Sequence, residues 1–276
     1  MKFIFEKYYR HPINKYNGSK ITPISQKNIF VVIKVELDDN ELNNIHDEAK
    51  KLAEDVCEKN PSGDIRTEER KLLSSFCGLI AEKVVKQLIT EKLMLIKDYI
   101  EIKGANVSNE NFNYESHNDI EIHLSNDEII TIEIRSSIAT KYDLNDILNK
   151  DFDILGSYTT SYKSKEHNKD YYFRIIFHNP GDYGYNPHLK KWEYNKRLEN
   201  AFKQEKNKAL DYFKNNVKVY FVGGCTFDDL ENYGEHDDLK QKNAEYWIIR
   251  PITKGRDVLE ILEILEKDIL NKLGFL

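Results

Sequence analysis

Cysteine is scarce: the 276-residue chain has only Cys57, Cys77 and Cys225. None of them forms a CxxC pair, which argues against a zinc or iron–sulfur centre and a disulfide scaffold, and fits a reducing cytoplasm. No run of about eighteen apolar residues occurs, so no membrane partner is expected. The opening Met1-Lys2-Phe3-Ile4-Phe5-Glu6 soon becomes charged and gives no export signal. A GxxxxGK[ST] phosphate loop is missing, which removes the expectation of a nucleotide cofactor or an attached motor domain. Internal repeats and low-complexity tracts are absent too. Nor is there an excess of positive charge. With 41 Lys and Arg against 47 Asp and Glu the net charge is −6, so contact with nucleic acid must come from a local basic face on an acidic background.

The chain is 40% hydrophobic and 32% charged, a globular composition. Its length suits one large domain, or a domain with a small appendage. The division expected is a strand-and-helix region over 1–65 packed on a core over 66–276, continuous with it. Strands are expected at the N-terminus and over 29–35. Asp38 and Asp39 then start a helix with Leu42, Ile45, Ala49, Leu52 and Val56 at helical spacing. A second helix begins near Thr67, with Glu68 and Glu69 in its first turn, and runs to about Leu95. Further strands are expected over 99–103, 171–177, 217–222 (ending at Gly223-Gly224) and 246–251. Helices are expected over 143–155 and 257–273, the last a possible dimer seam but more often packed on its own domain.

The most informative stretch is 117–137. Ile120, Ile122 and Leu124 alternate with Asp119, Glu121 and His123; Ile130, Ile132 and Ile134 alternate with Thr131, Glu133 and Arg135. Period-two alternation predicts two half-buried strands, and Ser125, Asn126 and Asp127 between them suit a tight reversal. A loop with an odd number of residues would put both polar sets on one face, with Asp119 opposite Glu133 or Arg135. Such an oxygen-rich cluster suits magnesium, which takes one or two carboxylates and fills its shell with water and phosphate oxygens. The plainer reading is a solvated outer face.

Asn118-Asp119, twelve intervening residues, then Ile132-Glu133-Ile134-Arg135-Ser136-Ser137 resembles the core motif of the PD-(D/E)XK nuclease superfamily, the restriction endonuclease fold. Asn118 stands in place of the Pro and Arg135 in place of the Lys. The resemblance spans roughly 66–180, and the order helix, strand, hairpin, helix, strand agrees with it. It implies an α/β fold with a restriction-endonuclease-like core, a central mixed β-sheet flanked by α-helices. It further implies Mg2+ held by Asp119 and Glu133, joined by Glu82 from Gly78-Leu79-Ile80-Ala81-Glu82, and Arg135 beside the attacking water or phosphate. Read as a plain helix, Glu82 is an edge residue with its tip in water. Glu121 and His123 are second choices at the site, and Lys141 is a substitute for the missing Lys.

Basic and aromatic residues are interleaved over 158–218. Lys163, Lys165 and Arg174 in the first part, and Lys190, Lys191, Lys196 and Arg197 in the second, are candidates for phosphate contact. A solvated helix with a buried aromatic stripe explains the second part equally well. The loop 178–184 is rich in turn formers and reads more readily as a connection than as a recognition loop. The expected activity is Mg2+-dependent cleavage of double-stranded DNA by a type II restriction endonuclease, a cytoplasmic homodimer. A DNA-binding protein with a decayed nuclease fold, or a structural α/β protein, are the alternatives.

Overall fold

The computed structural model describes residues 1–10, 15–16, 19–20, 24–54, 56, 65–104, 119–160, 167–186, 191–194, 196–239 and 244–276. The chain opens with β1 (Lys2–Tyr9), a short ladder of β2 (Lys15–Tyr16) with β3 (Ser19–Lys20), and β4 (Ile29–Glu36), which runs back along β1. Asp38 caps α1 (Asp39–Ala53) in a reciprocal capping box with Glu41, two otherwise orphaned backbone donors thus being satisfied. Thr67 caps α2 (Glu68–Lys92). Its apolar residues from Leu73 to Ile89 are buried in the largest core, while Glu82, Lys83, Lys86 and Gln87 stay partly exposed.

After a 3-10 turn come β5 (Ile100–Gly104), β6 (Ile120–Leu124) and β7 (Ile129–Ala139). The helix expected over 143–155 is cut short: Asp143 caps the single turn α3 (Leu144–Asp146), which widens into a π-helix over Ile147–Asp151. Its apolar residues serve both conformations, and the change to strand comes with Ile154, where β8 (Ile154–Thr160) begins. The remaining elements are β9 (Tyr171–His178), β10 (Tyr183–Asn186), β11 (Lys191–Tyr194), α4 (Arg197–Ala201), α5 (Lys206–Asn216), β12 (Lys218–Thr226), α6 (Phe227–Tyr233), β13 (Glu235–Asp237), β14 (Ala244–Ile249) and α7 (Val258–Lys272).

Seven strands form a mixed central sheet in the order β1-β4-β12-β9-β7-β6-β5, in which only β7 and β9 are parallel neighbours. Of the N-terminal strands, β1 and β4 are therefore part of this sheet, whereas β2 and β3 pair only with each other. Arg10 also ties β1 to α7 through an ion pair with Glu260 at 2.8 Å. β12 does not end at the two glycines as expected. Gly223, at φ 101°, forms a bulge there, and Gly224 exchanges backbone hydrogen bonds with Arg256. A side chain on Gly223 would collide with the Arg256 carbonyl, so glycine lets the strand pass.

One face of the sheet packs on α1, α2, α4, α5 and α7. Val258, Ile261, Leu262, Leu265 and Ile269 of α7 are buried there against the same chain, the more frequent of the two expectations for that helix. The other face carries α3 with its π-helical extension, α6, and a three-stranded sheet in the order β13-β14-β8. No helix among the described residues is long and apolar enough to cross a membrane.

Candidate functional site

The hairpin takes the odd loop. Leu124 N–H donates to the Glu128 carbonyl at 2.8 Å, leaving Ser125, Asn126 and Asp127 as the turn, with Asp127 in the left-handed region at φ 69°. The register is then Ile122↔Ile130, Glu121↔Thr131 and Ile120↔Ile132. Continued one step past Ile120↔Ile132, where β6 has ended, this register brings Asp119 level with Glu133.

The even-numbered residues of β6 and β7 point into the core under α2: Ile120, Ile122, Ile130 and Ile132 are fully buried. Alternation turns Glu121, His123, Thr131, Glu133, Arg135 and Ser137 to the opposite face. There Glu133 and Arg135 form an ion pair at 3.0 Å, with side chains 12% and 18% exposed. The Arg135 guanidinium lies 4.8 Å from the centre of the Tyr158 ring, and Tyr158 stacks on Tyr246. Asp119 Oδ2 accepts the Ile134 N–H at 2.6 Å, so the carboxylate extends the backbone ladder where β6 has ended. His123 and Glu121 bond to each other at 2.9 Å, one pair further toward the turn.

Glu82 approaches from the other side of the sheet from Glu133. Its carboxylate lies against Gly104, where a Cβ would overlap it, and Gly104 pairs with Ile120 on the side facing α2. The sheet thus separates Glu82 from Glu133, because residues at even and odd strand positions leave by opposite faces. Lys141 is not a substitute for the absent Lys. β7 stays extended through Ala139, so about 13 Å of strand already separates Arg135 from Ala139, and Lys141 beyond it sits over the rings of Tyr142 and Tyr183.

Arg174 requires a correction as a surface DNA contact, since it is 2% exposed. It stands in register beside Arg135 on the parallel pair β7 and β9, and its Nη2 donates to Ser137 Oγ at 2.9 Å. Burial pulls its pKa down to about 10, opposed by nearby Asp153, so it stays protonated at neutral pH. Its sequence signal was the unbroken apolar run around it: β9 is buried at every position, and an Arg inside such a strand is an interior residue.

Lys163, Lys165 and Lys190 lie outside the described residues, as does the side chain of Lys191 on β11. Lys196 and Arg197 are exposed at the start of α4, which Asp182 caps by accepting the amides of Arg197 and Leu198. The loop 178–184 accordingly acts as a connection, with Asn179 and Asp182 fully buried. Lys196 borders a cleft of about 590 Å³, shared with Arg70, Ser74, Ser136, Thr140 and Glu199. It opens along α2, toward the side of β7 away from Glu133.

Among the described residues no three His, Cys, Asp or Glu side chains are grouped to hold a metal ion. The two carboxylates Asp119 and Glu133 nevertheless supply the kind and number of protein ligands that magnesium commonly uses. Glu133 already has a cationic partner, and Asp119 has committed one oxygen to an amide. No protein-family model matches the chain, and no solved structure matches it.

Proposed function

We propose that this protein is a metal-dependent endonuclease that hydrolyses phosphodiester bonds in double-stranded DNA, of the PD-(D/E)XK class and of type II restriction endonuclease character. The observation that carries the reading is the juxtaposition of Asp119 and Glu133 across the β6–β7 hairpin, with Arg135 on the same face as Glu133. The order α2, β5, β6, β7, helical turn, β9, interrupted by β8 of the smaller sheet, supports it.

Asp119 and Glu133 would hold the divalent cation. When bound, the cation activates water and stabilises charge on the phosphate. Arg135 is always protonated, so it cannot take a proton from water. It orients Glu133 through their ion pair and stabilises negative charge at the scissile group. Lys196 and Arg197 supply phosphate contacts outside the reacting centre. The active form is a homodimer.

The ion pair favours a second reading, a DNA-binding protein without cleavage, because Arg135 already engages the Glu133 carboxylate. Incubation with plasmid or phage DNA separates the two. Cleavage with Mg2+ that stops on chelation is expected, and discrete bands indicate sequence specificity. Retarded but intact DNA across metal and salt conditions selects the second reading.

A further inference from the structure

Arg174 is a buried cation with donors to spare. Nη2 reaches Ser137, whereas Nε and Nη1 are buried and meet no hydrogen-bond acceptor among the described residues. Asp153, the carboxylate that acts on it, is held by Arg250, Oδ1 at 2.5 Å from Nε and Oδ2 at 2.9 Å from Nη2. Phe152 offers only a ring face, 6.0 Å from the guanidinium carbon. Arg135 alongside adds a second positive charge. Buried polar groups are ordinarily satisfied, and buried charges ordinarily paired. The planar donor set of a guanidinium matches a phosphate group.

We propose that Arg174 and Ser137, between the central sheet and β8, form a receptor for a phosphate-type oxyanion. A phosphate of a nucleic acid and free inorganic phosphate share this chemistry. Assigning the site to nucleic acid rests on the nuclease reading; oxyanion binding does not.

Titration calorimetry of the full chain with inorganic phosphate, at ionic strength matched with chloride, tests the proposal. One phosphate per chain is expected, with affinity falling at least tenfold in Arg174→Met, a variant that replaces the buried charge by an apolar chain of similar length. Ser137→Ala keeps the charge, and a weakening of a few fold is expected there even if Arg174→Met does not fold. Phosphate displaced by a DNA duplex identifies a nucleic-acid phosphate; phosphate retained identifies the free ion. No phosphate binding to the parent chain, or equal binding by both variants and the parent, overturns the proposal and leaves ordered water as the partner of Arg174. Phosphate binding without DNA cleavage upholds this site while the nuclease reading fails. DNA cleavage without phosphate binding does the reverse.

Discussion

The two faces of β7 divide the labour of one strand. Toward α2 it presents Ile130 and Ile132, both fully buried in the largest core. Away from α2 it presents Thr131, Glu133, Arg135 and Ser137, each only partly buried. The apolar face fixes the register, since a slip of one residue would drive Glu133 and Arg135 into the core. The polar face is built instead around the Glu133–Arg135 ion pair and the contact of Arg135 with Tyr158.

Paired substitutions at adjacent positions would break this comparison most visibly. Ile132→Ala is expected to destabilise the fold by about 2–5 kcal/mol, the usual range for emptying a buried aliphatic site. Glu133→Gln next to it is expected to cost less than this, because the amide oxygen still accepts from Arg135, and to abolish DNA cleavage. Asp119→Asn should behave like Glu133→Gln, because the amide oxygen still accepts from the Ile134 N–H. Chemical denaturation and a plasmid assay on the same preparations check both. Near-parental cleavage by either carboxylate variant would place the metal site elsewhere.

A smaller effect sharpens the account of the polar face itself. Arg135→Ala is expected to lose roughly a hundredfold to a thousandfold in cleavage rate, the range for one preorganised donor, and Arg135→Lys to retain substantial activity. Single-turnover cleavage measures both. Normal cleavage by Arg135→Ala would remove this residue from the site.

The smallest effect asks whether DNA also reaches the α2 side. Lys196→Ala with Arg197→Ala is expected to weaken binding and to reduce the log–log salt slope by roughly one unit per lost phosphate contact. Filter binding across salt concentrations reads the slope, and an unchanged slope would put the DNA on another surface.

Local rules made the hairpin legible, because alternation and an odd loop are sufficient to set its faces. They also reached α1, α2 and α7, whose capping residues stand beside their apolar spacing. They failed where packing decides. Ile147, Leu148 and Ile154 suit a helix by spacing, yet the chain leaves the π-helix for β8 because β14 offers it a partner. Arg174 was read by its charge as a surface residue, whereas its place in a strand covered on both sides makes it interior. Glu82 was read from its helix alone, and only the sheet register shows which side of the hairpin it occupies.

The turn at Ser125, Asn126 and Asp127 works as a reading frame. Asn126 fixes it to the end of α7 by donating to the Lys272 carbonyl at 2.9 Å, and Lys272 pairs with Glu128 at 3.0 Å. Everything downstream on β7 is interpreted from that count of three. A single inserted residue would act on the sheet as a frameshift acts on a message: every letter would be preserved, and isoleucine and glutamate would exchange meanings along the strand.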